Sequence, residues 1–230
     1  MVIYLLKNKY EVADIIKEYI KFAEAHWNLK LAKLRCDNGR EYVNENLRNW
    51  CKGNGTEMDL TILYSPQLIG KAKRLNRTLL EKIRVLLEES DMKKEIWGEA
   101  AYTATYLLNR SPTKLLDVTP FEMWSGKEPN LNTLKIFGCA AYAKILEPLK
   151  KLDDRSRKLI FVGYSPEGYR LWDAENRKII LSRDVKFEEK IEAKIEKNKI
   201  GVLGKMEDNE EVRKNRQKKK RLKSLKRNRW

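Results

Sequence analysis

Histidine is nearly absent from this 230-residue sequence, with one copy, and cysteine is scarce, with three. Cys36, Cys51 and Cys139 are an odd number, far apart, and form no Cys-x-x-Cys pair, which argues against a disulfide framework or a structural zinc site. Long apolar runs are also missing. Val2–Leu6 and Leu159–Val162 are typical of what there is, and a membrane span needs roughly 18–20 such residues. The chain does not open with the charged, apolar and small-residue succession of a signal peptide, so the expectation is a soluble intracellular protein with no membrane partner. What is present suffices for a core: 42% of the residues are hydrophobic, close to the range of packed globular proteins.

Charge is abundant and uneven. The formal net charge is +16, and from Arg213 to the end there are eleven Lys or Arg and no Asp or Glu, leaving +5 for the preceding 212 residues. A tail of this kind is attracted to polyanions by counterion release, and nucleic acid is the commonest polyanion in a cell. The competing reading is a solvated, disordered charge run.

Val2–Leu6 reads as a short strand. Val12, Ile15, Ile16, Tyr19, Phe22 and Ala23 recur at helical spacing and predict an amphipathic helix over 10–27, with His26 near its end as a partly buried side chain rather than a ligand. Leu29–Cys36 alternates apolar with basic residues and runs into the turn signal Asp37-Asn38-Gly39, so Asp37 ends a strand. A helix over Glu41–Cys51 and a strand over Thr56–Leu63 follow. After the Pro- and Gly-containing loop Ser65–Gly70 comes a long helix with the apolar stripe Ala72, Leu75, Leu79, Ile83 and Leu86, and with Arg74, Arg77 and Arg84 on another face. One more helix covers Lys94–Leu108. The alternation of strand and helix predicts a layered α/β domain. Beyond Pro129 the texture changes to short strand-like runs, at Leu134–Phe137, Ala140–Ile145, Lys158–Val162, Tyr169–Trp172, Lys178–Leu181 and Val185–Phe187, which suggest a small antiparallel barrel.

Two segments carry a resemblance: Leu34-Arg35-Cys36-Asp37-Asn38-Gly39-Arg40-Glu41-Tyr42, and Tyr64-Ser65-Pro66-Gln67-Leu68-Ile69-Gly70-Lys71-Ala72-Lys73-Arg74-Leu75-Asn76-Arg77-Thr78. Together they resemble the integrase core of copia-type retrotransposon Pol polyproteins. There the D-N-G-x-E-[YF] strand end supplies the second catalytic Asp, and an S-P-Q-x-N-G-x-A-E-R-x-N-R-T helix start supplies the catalytic Glu. The spacing of that D,D-35-E family is kept, since 35 residues separate Asp37 from Lys73, but the Glu position holds lysine. Ile69 stands where the family has Asn, and isoleucine disfavours the turn geometries that Asn and Gly adopt. The resemblance extends over roughly residues 2–188, through Trp97–Pro112, Thr119–Glu122, Leu134–Cys139 and Lys158–Tyr164.

The resemblance implies an α/β fold in three parts: a truncated RNase H-like integrase core over 1–127 (a mixed sheet flanked by helices), a small antiparallel SH3-like β-barrel over 128–190, and a basic, disordered tail over 191–230. It implies that Asp37 is the remnant of a site in which two Asp and one Glu hold two Mg²⁺ or Mn²⁺ ions. The first Asp is expected upstream of Val2–Leu6, outside this sequence. An ammonium at Lys73 has three donors and no lone pair, so it cannot ligate a metal. Glu81 lies eight helical residues on, about 12 Å away, too far to substitute. The expected function is that of an inactive integrase remnant with little or no metal at Asp37 and no cofactor. Its nucleic-acid contacts would be made to phosphates by Lys71, Arg74, Asn76 and Arg77 at a helix start. DNA is the expected partner, the oligomeric state is open, and the basic tail is compatible with the nucleus. On residues alone Asp37 also reads as a turn aspartate, and the alternative function is a domesticated nucleic-acid- or protein-binding module.

Overall fold

A computed structural model describes residues 1–60, 70–113, 117–148 and 150–189. Residues 61–69, which include Ile69, and those from 190 onward lie outside the described residues, as do the expectations attached to them. By contacts the chain divides into two units, Met1–Lys186 and Phe187–Trp230. The first carries nearly all the described structure.

Five α-helices form among the described residues: α1 (Val12–Trp27), α2 (Glu45–Asn54), α3 (Gly70–Glu89) and α4 (Trp97–Asn109), which lie within a few residues of where the apolar periodicity places them, and the short α5 (Pro120–Ser125), which the periodicity does not signal. Their ends are chemically specified. The Asn44 side chain accepts the Leu47 N–H at the start of α2, and Thr119 accepts the Glu122 N–H at the start of α5, where Pro120 costs no hydrogen bond. Asn28, Gly55 and Gly126 end α1, α2 and α5 in the left-handed conformation.

The strands β1 (Lys33–Cys36) and β2 (Glu57–Leu60) pair in parallel, with Leu34 opposite Met58 and Arg35 opposite Asp59. Leu34 and Met58 pack with Ile16 and Trp50 around Ala13, Leu47 and Cys51, a small core between α1, α2 and the strand pair. Leu47 has no solvent exposure, and burying such a leucine contributes roughly 1.5–3 kcal/mol. Glu24 fastens the end of α1 to this core by accepting from the Leu31 N–H, Lys30 Nζ and Asn54 Nδ2. These bonds, the Leu31 N–H first, hold its carboxyl below the usual glutamate range. Beside the core, an apolar groove of about 540 Å³ opens between α1, β1 and the Val2–Tyr4 segment.

The remaining strands, β3 (Ala140–Lys144), β4 (Ser156–Ser165), β5 (Gly168–Asp173), β6 (Lys178–Ser182) and β7 (Val185–Glu188), form one sheet in the order β6-β5-β4-β3-β7. β3 to β6 pair antiparallel in turn, and a bulge between Phe161 and Gly163 shifts the β4 register. One face of the sheet carries Ile160, Val162, Trp172 and Ile179 onto Leu79, Ile83, Ala100, Ala101 and Ala104 of α3 and α4. The core therefore runs across the position near 127 where the sequence places a boundary.

Two expected strands do not form. Val2–Leu6 joins no strand or helix among the described residues. Instead the terminal ammonium donates to Asn109 Oδ1 at 2.7 Å, Asn109 Nδ2 donates to the Met1 carbonyl at 2.8 Å, and Ile3 packs on the α3–α4 core. Leu134–Phe137 is a loop that delivers buried Phe137 to the same core and turns at Gly138. Gly138 has φ +81°, and a Cβ there would stand 2.3 Å from Ser90 Cβ. Glycine is thus required twice over, by conformation and by space. Gly138→Ala is expected to lower unfolding stability by more than about 1 kcal/mol in urea denaturation; an unchanged midpoint and slope would contradict this packing.

Candidate nucleic-acid interface

Asp37 follows the last residue of β1 and is exposed. Its Oδ1 accepts the Gly39 N–H at 3.1 Å, the local turn that an Asp-Asn-Gly sequence favours. Its charge reaches its neighbours: burial first and then Asp37 push the Cys36 thiol up, and burial, Asp37 and Glu41 do the same to the Tyr42 phenol. Asp37 and Glu41 both lean over Gly39, where a Cβ would meet Asp37 Oδ1 and Glu41 Oε1 at 3.0 Å each. No group of three or more His, Cys, Asp or Glu converges among the described residues.

The basic positions lie on a different element, α3. Leu79 and Ile83 bury one side of that helix, with Leu86 and Leu87 half-buried beside them. A helix period of 3.6 puts Lys73, Arg77 and Arg84 together on an adjoining side. There Lys73, Asn76, Arg77, Leu80 and Arg84 line a shallow hollow of about 260 Å³. Of the four residues expected from sequence to contact phosphates, Lys71, Arg74, Asn76 and Arg77, the hollow holds Asn76 and Arg77, joined by Lys73 from the resembled carboxylate position. Leu80, which gives the hollow an apolar centre, was not singled out, because its contribution depends on being left uncovered.

The other candidates are deployed differently. Arg74 Nε donates to the Gly70 carbonyl at 3.1 Å, which directs the guanidinium back over the first turn of its own helix. Arg77 Nε donates to Glu81 Oε1 at 3.1 Å, an exposed pair one helical turn apart. Lys71 belongs to α3, but its side chain lies outside what the structure describes.

His26 is exposed rather than partly buried. Its ring stacks on Trp124 with centroids 4.5 Å apart and planes 4° from parallel, and its Nε2 lies 3.0 Å from the Trp124 carbonyl, which the Nε2–H form donates to. It ties α1 to α5. A second stack lies at the other end of α5, where the Arg110 guanidinium sits between Tyr106 at 3.4 Å and Phe121 at 4.1 Å. Tyr106 stacks in turn on Tyr164 of β4 at 3.9 Å, and burial pushes the Tyr164 phenol up to about 12. Neither His26 nor Arg110 is signalled by local sequence, since both are fixed by residues about 100 and 10 positions away respectively.

Comparison with known proteins places these observations in a lineage. The family model described as the retroviral polymerase SH3-like domain matches residues 139–200, which begin just before β3. The Retrovirus-related Pol polyprotein from transposon TNT 1-94 of Nicotiana tabacum is 42% identical over 191 residues, or 81% of this chain and 14% of that protein. The corresponding polyprotein from transposon RE2 of Arabidopsis thaliana is 33% identical over 193 residues, 82% of this chain and 13% of its own length. The chain therefore spans about one seventh of these relatives. Among solved structures, the catalytic core domain of BIV integrase overlaps 54% of this chain and 74% of its own, with a TM-score of 0.39 and 23% identity.

The α3 face is a surface feature, stabilised by its exposed pair only weakly. Arg77→Ala is expected to change unfolding free energy by about 0.5 kcal/mol or less; a loss several times larger in chemical denaturation would show that the arginine is part of the packing.

Proposed function

We propose, for a chain homologous to a segment of the Pol polyproteins of plant retrotransposons, that it is an integrase-derived nucleic-acid-binding module without metal-dependent catalysis. The observation that carries this reading is Lys73: a cation at the third carboxylate position of the resembled motif, with 35 residues between it and Asp37, on an exposed helix face with Arg77 and Arg84.

The residues present do not fit the two-metal site that the resemblance implies. Such a site draws its strength from clustered carboxylate oxygens, which suit hard divalent cations. Asp37 already has one oxygen engaged by the Gly39 N–H, and Lys73 brings positive charge where a negative ligand is needed. A charged ammonium has no lone pair to give and repels a divalent ion nearby. The same substitution favours phosphate. With Lys73 in place of an acid, the hollow on α3 carries three cations and the amide of Asn76, a set that recognises a sugar-phosphate backbone without reading base edges.

The basic run from Arg213 to Arg229 would add contacts of the same kind. Binding would then be strongly salt-dependent and weakly sequence-dependent, with a log–log slope of about 0.9 per phosphate neutralised on duplex DNA. Anisotropy titrations at several salt concentrations test this with scrambled and element-end duplexes. The two duplexes are expected to bind within a few-fold of one another, Lys73→Glu to weaken binding several-fold, and truncation before residue 205 to flatten the slope. The same mixtures supplied with Mg²⁺ or Mn²⁺ are expected to yield no processed or joined DNA. A slope unmoved by both changes, or reproducible metal-dependent products, would overturn the proposal.

A further inference from the structure

The sheet has two buried faces. Ile160, Val162, Trp172 and Ile179 meet the helices, whereas Ala141, Ala143, Leu159, Phe161 and Leu171 are buried on the opposite side. The register explains the separation: Ala141 pairs with Leu159 and Phe161 with Leu171, so each pair projects to the same side of the sheet. At one end this second face is open. A hollow of about 400 Å³ is floored by Ile180 with the buried Ala143 and Leu159 at its base, and its lining includes Leu146 and Leu181, which are 85% and 61% exposed.

Charge surrounds this apolar floor. Lys144, Arg157, Lys178 and Arg183 line the hollow, against two acids, Glu147 and Asp184. Arg157 is partly committed to Asp173, at 3.8 Å. Lys144, Lys178 and Arg183 make no ion pair among the described residues. One wall of the hollow is β6, the outermost strand of the sheet, which presents a row of backbone groups to an added strand.

We infer that this end of the sheet is a docking site for an extended peptide in which aliphatic and acidic side chains alternate. The peptide would add along β6, with its aliphatic residues against Ile180 and the mouth of the hollow and its carboxylates among Lys144, Lys178 and Arg183. The alternation follows from strand geometry, since successive side chains point to opposite faces and only every second one enters the hollow. Charge complementarity selects the acidic sign. The aliphatic floor argues against nucleic acid: base stacking requires aromatic rings, and no aromatic residue lines this hollow among the described residues. Exposed leucines gain nothing from facing phosphates. The site is separate from the basic face of α3, so it does not depend on the nucleic-acid reading.

A fluorescein-labelled peptide of alternating valine and glutamate, titrated into the full chain, tests the assignment. Two control peptides accompany it, one with lysine for every glutamate and one with serine for every valine. The expected result is saturable binding of the valine–glutamate peptide, at least tenfold tighter than either control. The double variant Lys178→Glu/Arg183→Glu should weaken it at least tenfold while retaining the native circular dichroism spectrum. Arg77→Glu on α3 should leave it unchanged. Should the double variant lose its fold, Leu181→Asp, at a residue 61% exposed, is expected to give the same loss of binding with the fold kept. Equal binding of the serine–glutamate peptide would mean plain polyanion attraction, as to the basic run from Arg213, and would overturn the assignment. So would equal binding of the lysine peptide, no binding at all, or loss of duplex DNA binding in the double variant.

Discussion

The close approach of β4 to α4 is the contact on which the rest of this structure depends. Thr103, fully buried in the middle of α4, donates its hydroxyl to the Val162 carbonyl at 2.7 Å, across the bulge that frees that carbonyl from the ladder. The distance is possible because the next residue is Gly163, where a Cβ would stand 2.8 Å from Thr103 Oγ1. Ala100, Ala101 and Ala104 keep the adjoining helix surface low, so the strand lies almost on the helix backbone. At the edge of this contact Arg170 donates twice to Glu99, at 2.6 and 2.7 Å, a two-pronged bond that fixes orientation as well as distance. Once β4 is held in this way, Phe137 and Gly138 close over Ser90 and the far side of the sheet is left to form its own apolar interior.

The same packing determines which surfaces are available for function. α3 spends Leu79, Ile83, Leu86 and Leu87 on the core, and what remains outward is basic along its first half. The sheet spends one face on the helices and closes most of the other, leaving a small mixed hollow beside β6. Neither surface needs a reaction centre to act. Both offer an excess of positive charge on a rigid element, which suits binding by complementarity, and exposed cations of this kind add little to stability.

Much of this was readable in the sequence where a regular period met a tertiary partner. The helices α1 to α4 fell within a few residues of their apolar stripes, and five of the six strand-like runs after Pro129 became strands of one antiparallel sheet. The homologous polyproteins bear out the resemblance drawn from the Asp37 and Lys73 segments. Val2–Leu6 and Leu134–Phe137 failed for one reason: strand propensity describes residues that suit a pleated surface, and the chain instead used these apolar runs to fill gaps against α4 and α3. Gly138 was part of a recognisable segment, yet its purpose appears only once Ser90 is seen beside it. His26 was misjudged as partly buried because its partner, Trp124, lies 98 residues away in sequence.

On the proposed function, Lys73 holds phosphate at a position where the resembled motif holds a metal through a carboxylate. Manganese broadening of backbone amide resonances addresses this claim at the site itself, independently of any substrate. Titrating Mn²⁺ into the ¹⁵N-labelled chain is expected to broaden exposed acidic positions weakly and without saturation, with no preference for residues 36–42 or the start of α3. A short duplex oligonucleotide is expected to shift the amides of residues 73–84. Saturable broadening by Mn²⁺ centred on both Asp37 and Lys73 would contradict the account.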